Sequence, residues 1–134
     1  MRLDLVITYP TEGVTMSELH EKGKKAAAEF VERIGMQVVF IDHETQYGVI
    51  PIVALDDDTL VHISVDTRKI DEPRADQEHR PTGLYKDQID AMLEEGNLPD
   101  EINPTDTRVD LISILVIEDE RALLRHHMDA ARPK

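Results

Sequence analysis

GVIPIVALDDDTLVHISVDTR, residues 48–68, decides how the rest of the chain is read. Two apolar, β-branched runs flank Asp56-Asp57-Asp58-Thr59, the pattern of a hairpin of two buried strands. In the second run, alternation puts Val61, Ile63 and Val65 on one face and His62, Ser64 and Asp66 on the other. In the first run it groups Ile50, Ile52 and Ala54 against Val49, Pro51 and Val53. Pro51 cannot donate to a ladder, so its strand is expected to be at an edge, bulged or unpaired at that point.

Upstream of the hairpin, Gln37 to Ile41 reads as a strand and His43 to Tyr47 as a polar turn. Before these, Thr15-Met16-Ser17-Glu18 has capping-box spacing, which predicts a helix running to about Ile34 and stopped by Gly35. Leu19, Ala26, Ala27, Phe30, Val31 and Ile34 recur at helical spacing as its core face. Residues 3 to 9 alternate as a short strand, turned by Pro10 to Gly13. Downstream, Lys69 to Pro81 reads as a polar loop, and Thr82 as the cap of a helix to Glu95 with the stripe Tyr85, Ile89, Met92 and Leu93. After a second loop, Arg108 to Ile117 is a buried strand. Periodicity leaves Ala122 to Met128 open between strand and helix. The order α, three β, α, β, with a possible strand added at each end, predicts an α/β fold: a mixed sheet flanked by helices.

The 134 residues make one domain, 1–134, with 40% apolar and 32% charged side chains. No apolar run approaches a membrane span, and MRLDLVITYP does not read as a secretory signal. Without cysteine there is no disulfide or thiolate chemistry, all of which suits a cytoplasmic setting. Fifteen Lys and Arg against 28 Asp and Glu give a net charge of −13, which repels a phosphate backbone.

From about residue 20 to 131 the chain resembles the YraN family, relatives of the PD-(D/E)XK nucleases, with residues 1–14 an N-terminal extension outside that core. Gly23, Ala27, Phe30, Val31 and Gly35 follow the family's first-helix pattern. The hairpin keeps its frame and closes on Thr67-Arg68. Arg108-Val109-Asp110-Leu111 is similar to its R-F-D-V strand, and His126 to Ala130 to its H-I-x-N-A ending. The resemblance implies a restriction-endonuclease-like sheet. It also implies a nuclease site in which carboxylates hold Mg²⁺ and a lysine assists. By position, the family's helix Glu falls on Lys24. Its Glu and Asp in the first hairpin strand fall on Val49 and Pro51, and its Glu and Lys in the second on Ser64 and Asp66. All five are replaced, so no catalytic residue and no cofactor is expected.

The expected function is therefore a non-catalytic YraN-like domain that binds, with a protein as partner, through the former active-site side. One alternative is a metal-dependent nuclease or other hydrolase whose site has migrated to His62 and Asp66, with Asp42, His43 and Glu44 nearby, holding Mg²⁺, Mn²⁺ or Zn²⁺. Against it stands a half-buried His62 that merely neighbours Ser64 and Asp66. A second alternative is residual nucleic-acid binding by Lys22, Lys24, Lys25, Arg68 and Lys69, against the commoner reading of a solvated helix face and loop. Asp56 to Asp58 reads as a turn rather than a Ca²⁺ loop, and His126-His127 as partly exposed.

Overall fold

The computed structural model describes residues 2–9, 13–73, 83–96, 98–118 and 120–130. Eight elements follow in order: β1 (Arg2–Tyr9), α1 (Met16–Arg33), β2 (Gln37–Thr45), β3 (Gly48–Asp56), β4 (Thr59–Lys69), α2 (Gly83–Glu95), β5 (Asp106–Glu118) and β6 (Glu120–His127). The fold is α/β. Its strands form one mixed sheet in the order β1-β6-β5-β4-β3-β2. Only the β4–β5 pair is parallel, and α2 is the crossover between those two strands. Both optional end strands exist and pair with each other, antiparallel.

The helices cover opposite faces of the sheet. α1 starts at Thr15, whose hydroxyl accepts the Glu18 N–H, and Gly35 follows its last turn at φ 102°. Leu19, Ala27, Phe30 and Val31 pack on Ile52, Ala54, Val61, Ile63, Ile112, Ile114 and Leu124. Ile34, expected on that face, is instead exposed, because the helix ends there and the chain turns into β2. α2 places Ile89 and Met92 on Ile50, Val53 and Leu60 across the sheet. Its expected cap, Thr82, and most of the loop expected over 69–81 lie outside the described residues.

The hairpin departs from simple alternation at Pro51. β3 and β4 pair from Asp56↔Thr59 to Ile52↔Ile63 and then part, so Gly48, Val49 and Ile50 pair only with β2. Ile52 faces α1, yet Ile50 faces α2, so the expected grouping of Ile50 with Ile52 and Ala54 does not hold. The cause lies in both strands. Pro51 has no N–H to give, and Asp42, between Ile41 and His43 on the facing strand, turns left-handed at φ 52°. β2 also runs further than expected: His43, Glu44 and Thr45 are strand, paired with Ile50, Val49 and Gly48, and only Gln46 and Tyr47 form the turn.

Two further expectations are settled at the C-terminus. Residues 122–127 are strand, part of β6. His126 and His127 are buried rather than partly exposed, because β6 lies between β1 and β5. Asp110 and His126, both 0% exposed, meet there at 2.9 Å, the imidazole Nε2–H donating to Oδ2. Arg108 donates through Nε and Nη2 to the same carboxylate at 2.7 and 2.9 Å, and the Asp129 N–H adds a fourth bond at 3.0 Å. Ala130 N–H bonds to Val109 O at 2.7 Å, and Phe30 meets the His126 ring edge-on. The two motif-like segments, RVDL and HHMDA, thus form one buried cluster. With no solvent access to Asp110 or His126, the cluster is structural.

Candidate functional site

Where β3 leaves β4, a cleft opens between the fork and α1. Its walls are Pro51 of β3, Val65, Asp66 and Thr67 of β4, Asp42 of β2, and His20, Glu21 and Lys24 of α1, around about 260 Å³. It adjoins a larger cleft of about 580 Å³ between α1 and β2, floored by Ala28, Val38 and Ile41 and rimmed by Lys22, Lys25, Glu29 and Glu32. Glu21, Lys24 and Asp42 belong to both.

Lys24 is the hub. Its ammonium reaches both Asp42 carboxylate oxygens at 2.8 Å and Glu21 Oε1 at 3.2 Å. The Asp42 hydrogen bond, with Glu21 behind it and against some burial, raises the lysine pKa above its ordinary value, so it stays a cation. The left-handed turn at Asp42 accompanies this pair at the point where β2 loses its regular partner. Of the five positions singled out by sequence, the fold brings Lys24, Pro51 and Asp66 to one cleft. Val49 is 52% exposed. Ser64 is buried on the opposite face, two residues along from His62.

These residues do not fit a divalent ion of the kind the nuclease frame implies. Val49 and Pro51 carry no side-chain oxygen, Lys24 brings positive charge, and Asp66 is engaged by Arg68 Nε at 3.3 Å. Among the described residues, no three His, Asp or Glu side chains gather closely enough to hold a metal.

The structure also separates His62 from Asp66. Four residues apart on one strand, their Cα atoms lie roughly 13 Å from each other. His62 is fully packed: its ring stacks on Tyr85 at 4.8 Å, and Nε2 donates to Gln88 Oε1 at 2.8 Å, while Gln88 Nε2 donates to Tyr47 O. That chain of bonds fixes the tautomer and leaves Nδ1 buried without a partner among the described residues. Asp42 lies at the Lys24 cleft, whereas His43 stacks on Phe40 at 4.5 Å. The Lys24–Asp42–Glu21 pairing has no counterpart among the sequence-based expectations. Glu21 was legible as an i,i+3 partner of Lys24, but Asp42, eighteen residues on, was not.

Burial depresses the His62 pKa below its usual value near 6.5, more than the Gln88 bond restores. A His with a lowered folded pKa stabilises the fold fully above the unfolded value and loses that contribution as pH falls through the window beneath it. Urea midpoints for wild type and His62→Gln are therefore expected to differ most at neutral pH, with the gap narrowing below about pH 6.5. A gap independent of pH between 7.5 and 5 would contradict a neutral, buried imidazole.

Compared with models of known protein families and with the sequences of curated proteins, the chain matches none.

Proposed function

We propose that this is a YraN-like, nuclease-fold domain without catalysis, which works by binding a protein at the adjoining clefts between α1, β2 and the β3/β4 fork. The observation that carries the reading is the Lys24 ammonium clamped by Asp42 and Glu21, a cation built into the place where the family's frame calls for a carboxylate. Two further observations support the YraN-like part. Gly23 lies against Thr67, and Asp110 binds both Arg108 and His126, so the motif-like pieces, far apart in sequence, meet in pairs. A protein partner accords with the larger cleft, where the apolar floor of Ala28, Val38 and Ile41 is rimmed by charges of both signs. A phosphodiester chain would meet a net −13 instead.

The test has two arms. Capture from lysate of the native host with wild-type and Ile41→Asp baits is expected to retain one protein with the first and lose it with the second; retention by both would move the interface elsewhere. Purified protein with Mg²⁺ or Mn²⁺ is expected to leave single-stranded, duplex and branched nucleic acids uncut. Cleavage abolished by Asp66→Ala or His62→Ala would overturn the non-catalytic reading in favour of a migrated site. A tight nucleic-acid complex at about 150 mM salt would overturn the protein reading.

A further inference from the structure

The two ends of the sheet are built differently. β2, at one end, is interrupted by a register shift between Val38 and Phe40 and by the left-handed Asp42. Such kinks are how an edge strand is kept from pairing with another chain. β1, at the other end, carries no such device. It pairs residue for residue with β6 from Arg2 to Tyr9 without a shift, a straight edge of roughly 26 Å. Residues 2–9 contain neither proline nor lysine. At mid-strand Leu5 and Val6 are 43% and 54% exposed, and alternation puts them on opposite faces.

On the α1 side, a groove of about 420 Å³ runs along this edge, lined by Leu5, Ile7, Ala26, Phe30 and Leu124 with Glu29 and Arg33 at its rim. The chain as a whole carries −13, but here the charges balance: Asp4 lies beside Arg125, and Glu29 is matched by Arg33. A second copy approaching this end is not repelled as it would be elsewhere.

We propose that β1 pairs antiparallel with β1 of a second copy, joining two sheets into one of twelve strands about a two-fold axis. An antiparallel two-fold keeps the faces of the sheet, so residues opposite each other must point the same way. Centring the axis on Val6 meets that condition. Val6 then opposes Val6 of the second copy, Leu5 opposes Ile7, and Asp4 opposes the Thr8 hydroxyl. Both exposed apolar side chains gain apolar neighbours. The two grooves fall on the same side of the joined sheet, each bringing one acid and one base to the seam. The strand's outward N–H and C=O groups acquire the partners a sheet edge lacks. This surface lies at the opposite end of the sheet from the clefts, so the dimer and the protein-binding reading stand or fall separately.

Sedimentation velocity from about 1 to 100 µM is expected to show a monomer–dimer equilibrium. Val6→Lys sets two like charges face to face and should raise the dimer Kd roughly a hundredfold. Ile41→Lys on the β2 edge should leave it unchanged. Because the chain has no cysteine, Val6→Cys supplies a single thiol per copy. Mild oxidation should close a disulfide across the axis with an unaltered circular dichroism spectrum, which also decides the matter if the lysine variant fails to fold. A wild type that is monomeric at 100 µM overturns the proposal. So does a dimer indifferent to Val6→Lys, one abolished by Ile41→Lys, or a failure of Val6→Cys to cross-link.

Discussion

Asp110→Ala is expected to cost about 3–5 kcal/mol, enough to lower Tm by roughly 10–20 °C. The carboxylate is fully buried and takes four donors, from Arg108 twice, His126 and the Asp129 N–H. Its removal leaves the His126 imidazole buried without its acceptor and the Arg108 guanidinium with only Asp56, 3.1 Å from Nη1. Most of the loss comes from the donors left without an acceptor, the His126 imidazole and the Asp129 N–H, rather than from the ion pair itself. A Phe at His126 should therefore recover part of it: Asp110→Ala with His126→Phe is expected to be less destabilised than the sum of the two single changes. The pH dependence has a definite sign. Burial pushes the Asp110 pKa up, but His126, Arg108 and the Asp129 N–H together outweigh it and hold the group below the usual carboxylate range. Its contribution is thus present above the ordinary value of about 3.8 and fades as pH falls through the lower folded value. Equilibrium denaturation of wild type and Asp110→Asn should show a gap that is flat from neutrality to about pH 4.5 and shrinks below it. A loss under about 1 kcal/mol for Asp110→Ala would mean the cluster is dispensable.

Gly23→Val is expected to destabilise by about 3 kcal/mol, against the helix propensity gained on removing a glycine. α1 crosses β4 at this point. A Cβ on residue 23 would fall on the Thr67 hydroxyl and lie 3.3 Å from the Tyr9 hydroxyl. The Tyr9 O–H donates to Leu19 O, and its phenol oxygen accepts from the Thr67 hydroxyl, so three elements are joined there. Burial raises the Tyr9 pKa to about 12 despite the Thr67 bond, in keeping with a closed site. Gly23→Ala should show a smaller loss, about 1–2 kcal/mol, and Thr67→Ala should relieve it by making room. If Gly23→Ala alone raised stability, helix and sheet would have to be further apart than described.

What could be read from the sequence, and what could not, follows the range of the interactions. The Asp56–Thr59 hairpin turn, the Thr15 cap and the Ile89 and Met92 stripe are short-range signals, and each element forms there, the turn itself tightening to Asp57 and Asp58. Ile50 defeated the alternation rule because its orientation depends on Asp42 in the neighbouring strand, which a period-2 count along one strand does not see. His126, near the C-terminal end of the 134 residues, reads from sequence as partly exposed. Its burial is fixed by Asp110 on β5 and by β1 on its far side. Arg108-x-Asp110 did carry a usable signal, since alternate strand residues share a face and an Arg–Asp pair there invites a third buried partner. The candidate site was half legible. Three of the five positions singled out by sequence, Lys24, Pro51 and Asp66, do converge, but the group that pairs with Lys24 there, Asp42, has no sequence pattern linking it to that lysine.

The pairing of β1 with β6 has a consequence for how the protein is made. Arg2 to Tyr9 leave the ribosome well before their partners, since Glu120 to His127 are synthesised more than a hundred residues later. At 5–20 residues per second that is a delay of roughly 5–25 s. Helix α1, the hairpin and α2 can assemble from neighbouring sequence during that time, whereas RLDLVITY waits with its apolar side chains and its backbone unclaimed. The nascent strand thus stays exposed until β6 has emerged, and a holdase acting at the exit tunnel would find a binding site in residues 2–9.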